Sequence, residues 1–450
     1  MKAELSSDAR DAYADGFARV LAAGAGLPSW LNSARRNAFD AFIELGWPTT
    51  KQEDWRFTDV APITRLALLP PVEETTERVP DAFDESLLNL GHGQGHRLVF
   101  VDGRYRPSFA TWQALPAGLV VTPLSSALSS DSGSERAIAS ILGQHLRDQN
   151  AFVALNTAFM TDGVFIHIPP GFAAELPIYL VFLASAEGTM SFPRTVVWAG
   201  EGSQATIVEV HVGAANKATL SNAATEILLE PRASLSHHSI QKASPTGFHV
   251  GHLAVTQRSG SVLRAHSLSL DGRIIRNDVA ALLAEEGCTC NLDGLYLASG
   301  TSHIDNQTTI DHRAPRGVSR EVYKGVVDGR GRAVFSGRIV VRPGAQQTDA
   351  RQTNRNIVLA DGAQVHTKPH LEIFANDVKC SHGATTGRLD PDALFYLRSR
   401  GIGEKEANHL LIRAFMLEGL DRIPEQSLRA ELEDVVVRRI EDLASREALA

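Results

Sequence analysis

Between about residue 163 and residue 380 the chain is written almost entirely in short alternating runs: VFIHI, TVVWA, ATIVEVHV, ATEILLE, ASLSHHSI, VLRAHSLSL, CTCNLDGLYLA, AVFSGRIVV, NIVLA. Apolar and polar residues in alternation are the mark of β-strands, whose side chains point to opposite faces in turn. Long helical periodicity is missing from this region. The runs are entered through small turn residues. Gly202, Ala233, Gly260 and Gly287 follow one another at 31, 27 and 27 residues, and Gly331 and Gly362 are 31 apart. Repetition on the scale of 20–50 residues is the signature of a solenoid. With short strands and small turns it predicts a β-helix, in which successive coils stack into parallel sheets. A large antiparallel sandwich would need many tight hairpins, and the Asn-Gly pairs that favour them are few.

The flanks have a different texture. Residues 7–23 and 28–45 carry apolar residues at helical spacing (Trp30, Leu31, Ala34, Ala38, Phe42, Leu45), with Pro28 and Ser29 to start a helix and Gly46 to stop it. The stretch 69–85, LPPVEETTERVPDAFDE, reads as an exposed linker. LVFVDGRYRPSF reads as strand, Asp102-Gly103 turn, strand. Residues 134–160 read as helical. At Asp390 the texture turns helical again, with Asp390 as N-cap and Pro391 in the first helical position. A helix over EKEANHLLIRAFMLEGL and a third from Glu425 to Ala444 follow. Helices are common covers for the open ends of a solenoid, and these are expected to serve as such. The expected division is 1–150, mainly helical with a strand pair near 97–109; 151–388, the parallel β-helix; and 389–450, helical.

A chain of 450 residues is long enough for roughly two to four domains or one long repetitive one. No apolar run approaches the roughly 20 residues that span a membrane. The N-terminus reads as a helix and not as a signal peptide. A formal net charge of −8 argues against a nucleic-acid binder, which needs clustered Lys and Arg for phosphates. Three cysteines fit a reducing cytoplasm better than a disulfide framework. There is no GxxxxGK[ST], no complete GxGxxG, no GxSxG and no HExxH, so no nucleotide or hydrolase motif marks an enzyme.

DVKCSHGATTG, residues 377–387, holds the candidate chemistry. On a strand, Cys380 and His382 share a face. They can be a nucleophile–base pair, half of a metal site, or two wall residues; a closed metal site takes about four ligands, and two are here. Cys288 and Cys290 also share a face and read as buried wall residues. His237, His238, His303, His312, His366 and His370 are scattered through the solenoid, some beside carboxylates that orient ligating imidazoles elsewhere, but polar strand edges are the simpler explanation of them. The helix, Gly401-Ile402-Gly403, helix pattern looks like a DNA-binding hairpin, yet it stands alone in an acidic chain.

Several long blocks carry a resemblance: KQEDWRFTD at 51–59, ALNTAFMTDGV at 154–164, GLYLASGTSHIDNQTTIDH at 294–312, YKGVVDGRGRAVFSGRIVV, and QQTDARQTNRNIVLADGAQVHTKPHLEIFANDVKCSHGATTGRLDPDALFYLRSRGI. Together they resemble the SufB/SufD family of iron–sulfur cluster assembly proteins, over most of the chain. Within it the likeness is to the SufD branch. The SufB branch has a cysteine where Ala363 stands and an acidic residue where Gly383 stands, so Cys380 and His382 are what remains of the pattern. The resemblance implies a right-handed parallel β-helix with helical flanks. It implies a complex with a SufB-like subunit, paired through the β-helices by strand edges near the end of the solenoid. It implies a SufC-like ABC ATPase docked on the C-terminal helices at Leu410, Leu411, Phe415 and Leu417. Cys380 and His382 would then contribute to holding iron or a transient cluster shared with SufB, exposed when ATP-driven closure strains the pair. The alternative implied is a purely structural partner of SufB and SufC. No nucleic acid and no membrane is expected, and the expected location is cytoplasmic. A polysaccharide-cleaving β-helix enzyme, using charges such as Asp328, Arg330, Arg332 and Arg338, is remote from these motifs.

Overall fold

The computed structural model describes residues 7–66, 68, 85–91, 95–111, 115–129, 133–144, 146 and 150–447. The stretch expected to be a linker lies outside the described residues up to position 84. The alternating runs form strands of a solenoid of about eight turns, and each coil gives one strand to each of two facing sheets. The first sheet runs from Arg104–Tyr105 and His96–Val101 through Ile178–Ala184, Gln204–Gly213, Ser234–Lys242, Val262–Asp271, Thr289–Ala298, Val318–Val327 and Thr348–Val358 to Val378–Gly387. The second runs from Val120–Pro123, Gly163–Ile168 and Arg194–Ala199 through Leu220–Leu229, Phe248–Gln257, Ile274–Leu283, His303–His312 and Arg332–Val341 to Gln364–Ile373. Pairing is parallel from coil to coil; the starting pairs, at the Asp102-Gly103 turn and at Val120–Pro123, are antiparallel.

One edge of the solenoid explains the repeat seen in the sequence. Gly171, Gly202, Arg232, Gly260, Gly287, Arg316 and Gln347 each adopt a left-handed conformation, with φ between 58° and 73°. They are 27 to 31 residues apart. The N–H of each donates to a carbonyl of the following coil at 2.6–3.1 Å, a ladder that stacks the turns. Glycine occupies such positions without a Cβ penalty. Arg232, Arg316 and Gln347 do not have that freedom, and a search for turn glycines passes over them. The position expected at Ala233 is filled by its neighbour Arg232.

Alternate residues of every strand line the interior. Ile207, Leu235, Leu263 and Cys290 from the first sheet meet Val255, Ile275, Ile304 and Phe335 from the second. The outer faces are covered by helices. The helices Ser7–Ala23, Ser29–Leu45 and Ala151–Phe159 share one apolar cluster, through Phe17, Phe42, Phe152 and Phe159, with Phe248, Val250 and Ile274 of the second sheet. Arg276 fastens this layer: its guanidinium lies 3.8 Å from the ring centroid of Trp55 and pairs with Asp278 (2.8 Å) and Asp305 (2.5 Å).

The C-terminal helices do not sit where the sequence placed them. Glu404–Leu417 and Gln426–Glu447 lie along the outer face of the first sheet instead of over its open end. Met416, Leu420, Leu432 and Val436 pack on Val210, Leu268, Leu295 and Val326. Polar pairs pin the layer at intervals: Glu425 to His238 (3.1 Å), Arg439 to Asp271 (2.6 Å), Arg422 to Asp293 (2.6 Å) and Lys324 to Glu418 (2.8 Å). The outward residues of these strands are apolar, and an apolar sheet face outside the solenoid has to be covered. The final strands Gln364–Ile373 and Val378–Gly387 end their sheets, and among the described residues one side of each is unpaired.

Candidate functional site

The last strand, Val378–Gly387, pairs with Thr348–Val358 on one side only. Val378 and Cys380 pack against the interior cluster, and His382 shares their face by the two-residue period. With no further coil above them, Cys380 is half-buried and His382 is exposed. The two residues are roughly 7 Å apart along the strand, which lets both side chains reach one ion lying over that face. Burial pushes the Cys380 thiol above its usual range. The thiolate is the metal-binding form, so an electron-accepting ion, and not the protein alone, has to favour it.

The parallel register places a column of residues behind each. Cys380 is aligned with Ala350, then Ser319, then Cys290. Cys288 and Cys290 are fully buried, as expected of wall residues, and burial drives the Cys290 thiol far up. His382 is aligned with Gln352 and then Glu321. Gln352 Nε2 donates to Glu321 Oε2 at 2.6 Å, and Thr308 Oγ1 donates to Glu321 Oε1 at 2.5 Å. Burial raises the Glu321 carboxyl to about 7. Gln352 and Glu321 were not among the residues singled out in the sequence. They stand about one coil and two coils before His382, and only the register joins them to it.

The other histidines do different things. His237 faces the interior near Glu209, 3.7 Å away, while His238 turns outward to Glu425. His303 contacts Thr58 Oγ1 at 2.8 Å, and burial lowers its pKa to about 4. His312 bonds Ser319 Oγ inside the solenoid. His366 stacks on Phe57, and His370 lies 3.3 Å from Glu372. Among the described residues, no three His, Cys, Asp or Glu side chains are placed to hold one metal ion. Cys380 and His382 are thus two donors at an open end, short of a complete set.

On the C-terminal helices, Leu410 is 41% exposed and Leu411 is half-buried. Phe415 and Leu417 lie partly under the helix–sheet contact, with the Lys324 ammonium 4.1 Å from the Phe415 ring centroid. Two aromatic residues that the sequence reading did not select stand out further: Phe395 is 74% and Tyr396 58% exposed on the helix Pro391–Ser399. No helix among the described residues is long and apolar enough to cross a membrane.

Comparison with known families decides the relationship. The family described as "SUF system FeS cluster assembly, SufBD core domain" matches residues 182–415, and the SufBD N-terminal region matches residues 12–180. The chain belongs to the SufBD family. It is 32% identical over 418 residues to an iron–sulfur cluster assembly SufBD family protein of Synechocystis, covering 91% of each chain. It is 30% identical over 397 residues to the iron–sulfur cluster assembly protein SufD of Escherichia coli, covering 87% of this chain and 88% of that one. Identity to SufD of Bacillus subtilis is 24% over 422 residues, covering 92% and 94%. The SufBD core match ends at residue 415, so it takes in the last strand with Cys380 and His382 and most of the helix that carries Leu410.

Proposed function

We propose that this SufBD-family chain is a SufD-like, non-catalytic subunit of an iron–sulfur assembly complex in the cytoplasm. It pairs with a SufB-like subunit through the unpaired edges at the end of its solenoid. The observation that carries this reading is the last strand: a free edge with Cys380 and His382 on its interior face. A free strand edge offers a row of backbone donors and acceptors to a partner strand. Two ligands are a deficit for one chain and a half-share for a pair. A thiolate and an imidazole suit iron, and donors from the partner complete the set. Iron or a nascent cluster is the cargo of such a site. The C-terminal helices offer Leu410 and Leu411, and the preceding helix Pro391–Ser399 offers Phe395 and Tyr396, to a SufC-like ATPase, which supplies the nucleotide chemistry that this chain has no motif for. The three regions divided at residues 150 and 388 act as arm, scaffold and docking segment.

The half-buried Cys380 thiol, packed on the interior cluster, favours a second reading in which this chain is a structural partner only. One experiment separates them. The chain is purified anaerobically with its SufB-like and SufC-like partners, and iron and acid-labile sulfide are counted for wild type, Cys380→Ala and His382→Ala. The ligand reading expects an intact complex with iron and sulfide reduced several-fold. Unchanged iron and sulfide in both variants leaves only the structural role.

A further inference from the structure

We propose that Gln352 and Glu321 form a supporting layer that fixes the ring of His382: Gln352 supplies the acceptor, and Glu321 dictates which way its amide faces. The inference rests on the reading of His382 as a ligand.

Successive coils are in register, so His382, Gln352 and Glu321 follow one another on the same interior face at the strand spacing of about 4.8 Å. Gln352 is 1% exposed. Its Nε2 donates to Glu321 Oε2 at 2.6 Å, while its Oε1 is buried and has no partner among the described residues. The orientation of a glutamine amide is set by its neighbours, and here a carboxylate sets it. Glu321 takes donors at both oxygens, from Thr308 and from Gln352. Above its raised pKa of about 7 Glu321 is ionised and only accepts, so at pH 8 the amide must turn its N–H side toward it and its carbonyl away. The opposite sheet leaves room for this arrangement: a Cβ on Gly337 would come within 2.2 Å of Gln352 Nε2.

The next side chain of the column is His382. A neutral imidazole has one N–H to give and one lone pair to keep. A ligating histidine characteristically gives that N–H to a carbonyl or carboxylate, which selects its tautomer and points its lone pair. The unpartnered Gln352 carbonyl is such an acceptor. It accepts without adding a charge to the site. Gln352 and Glu321 are therefore positioning residues, acting through His382.

The test needs no cargo. The full chain, metal-free and ¹⁵N-labelled at histidine, is examined at pH 8 by long-range ¹H–¹⁵N correlation, which reads the imidazole tautomer. Wild type is expected to show one dominant tautomer at His382. Gln352→Met, which keeps the shape and removes the acceptor, is expected to give a mixture. Gln352→Glu, which keeps an acceptor, is expected to restore a single tautomer. Glu321→Gln, which frees the Gln352 amide to turn over, is expected to give a mixture with Gln352 intact. Thermal melts confirm that each variant is folded; should Gln352→Met not fold, Glu321→Gln carries the same decision. An identical His382 tautomer pattern in wild type, Gln352→Met and Glu321→Gln overturns the proposal. A tautomer shift together with unchanged iron content in His382→Ala upholds the layer and overturns the ligand reading instead.

Discussion

Glu321 and His382 belong to the same column, yet burial treats them oppositely. His382 stands at the open end; Glu321 lies two coils inside, and desolvation raises its carboxyl from 4.5 to about 7. The folded chain therefore holds a proton there that the unfolded chain gives up at lower pH. The contribution of this group to stability is greatest below pH 4.5 and falls as pH rises toward 7, by about 3 kcal/mol in all. Urea melts of wild type and Glu321→Gln should converge in acid and separate at pH 8, with the variant gaining on wild type; a gap that stays constant across that range would show that burial does not hold the proton. The sequence made Cys380 and His382 legible because they lie two residues apart on one strand. It hid Gln352 and Glu321 because their nearness to His382 depends on the length of each coil. That length varies by a few residues, and three of the seven turn markers that would measure it are Arg232, Arg316 and Gln347 instead of glycine.

At the scale of elements, the helical segments were readable but their destinations were not. Asp390 accepts from the Asp392 N–H at 2.9 Å with Pro391 in the first turn, just as the local pattern demands. An amphipathic stripe tells that a helix buries a face, and not which surface it buries it on; the C-terminal helices accordingly went to a flank and not to the end. The N-terminal layer is held in a comparable way, with a buried charged clamp at its centre. Arg276 is buried between Asp278 and Asp305 under Trp55. Removing the cation strands carboxylates away from water, a change that costs about 3–5 kcal/mol. Arg276→Met should lower stability to denaturant by that order and speed hydrogen exchange in the Glu53–Trp55 turn. A variant with wild-type stability would mean that packing alone fastens the layer.

For the whole molecule, the repeat in the sequence named the architecture before any contact was known, because stacked parallel coils tie period to geometry more tightly than other all-β folds do. A solenoid is nearly one-dimensional, and each coil is stabilised by its neighbours. The last coil has one neighbour where the interior coils have two. Amide exchange should therefore be fastest among the strands in Gln364–Ile373 and Val378–Gly387 and slowest in the central strands. Adding the SufB-like partner should protect those two strands selectively; protection spread evenly over the solenoid would contradict pairing at that end.

The pins between the C-terminal helices and the first sheet have a mechanical consequence. Glu425, Arg422, Arg439 and Glu418 grip strands from Ser234–Lys242 to Thr348–Val358. A brace fixed at several points along a stack resists bending and shear between the layers that it spans. A push on the helices is then passed to those coils as a rigid block. The compliance of the stack is left to the segment beyond the last pin, which is the segment that carries Cys380 and His382.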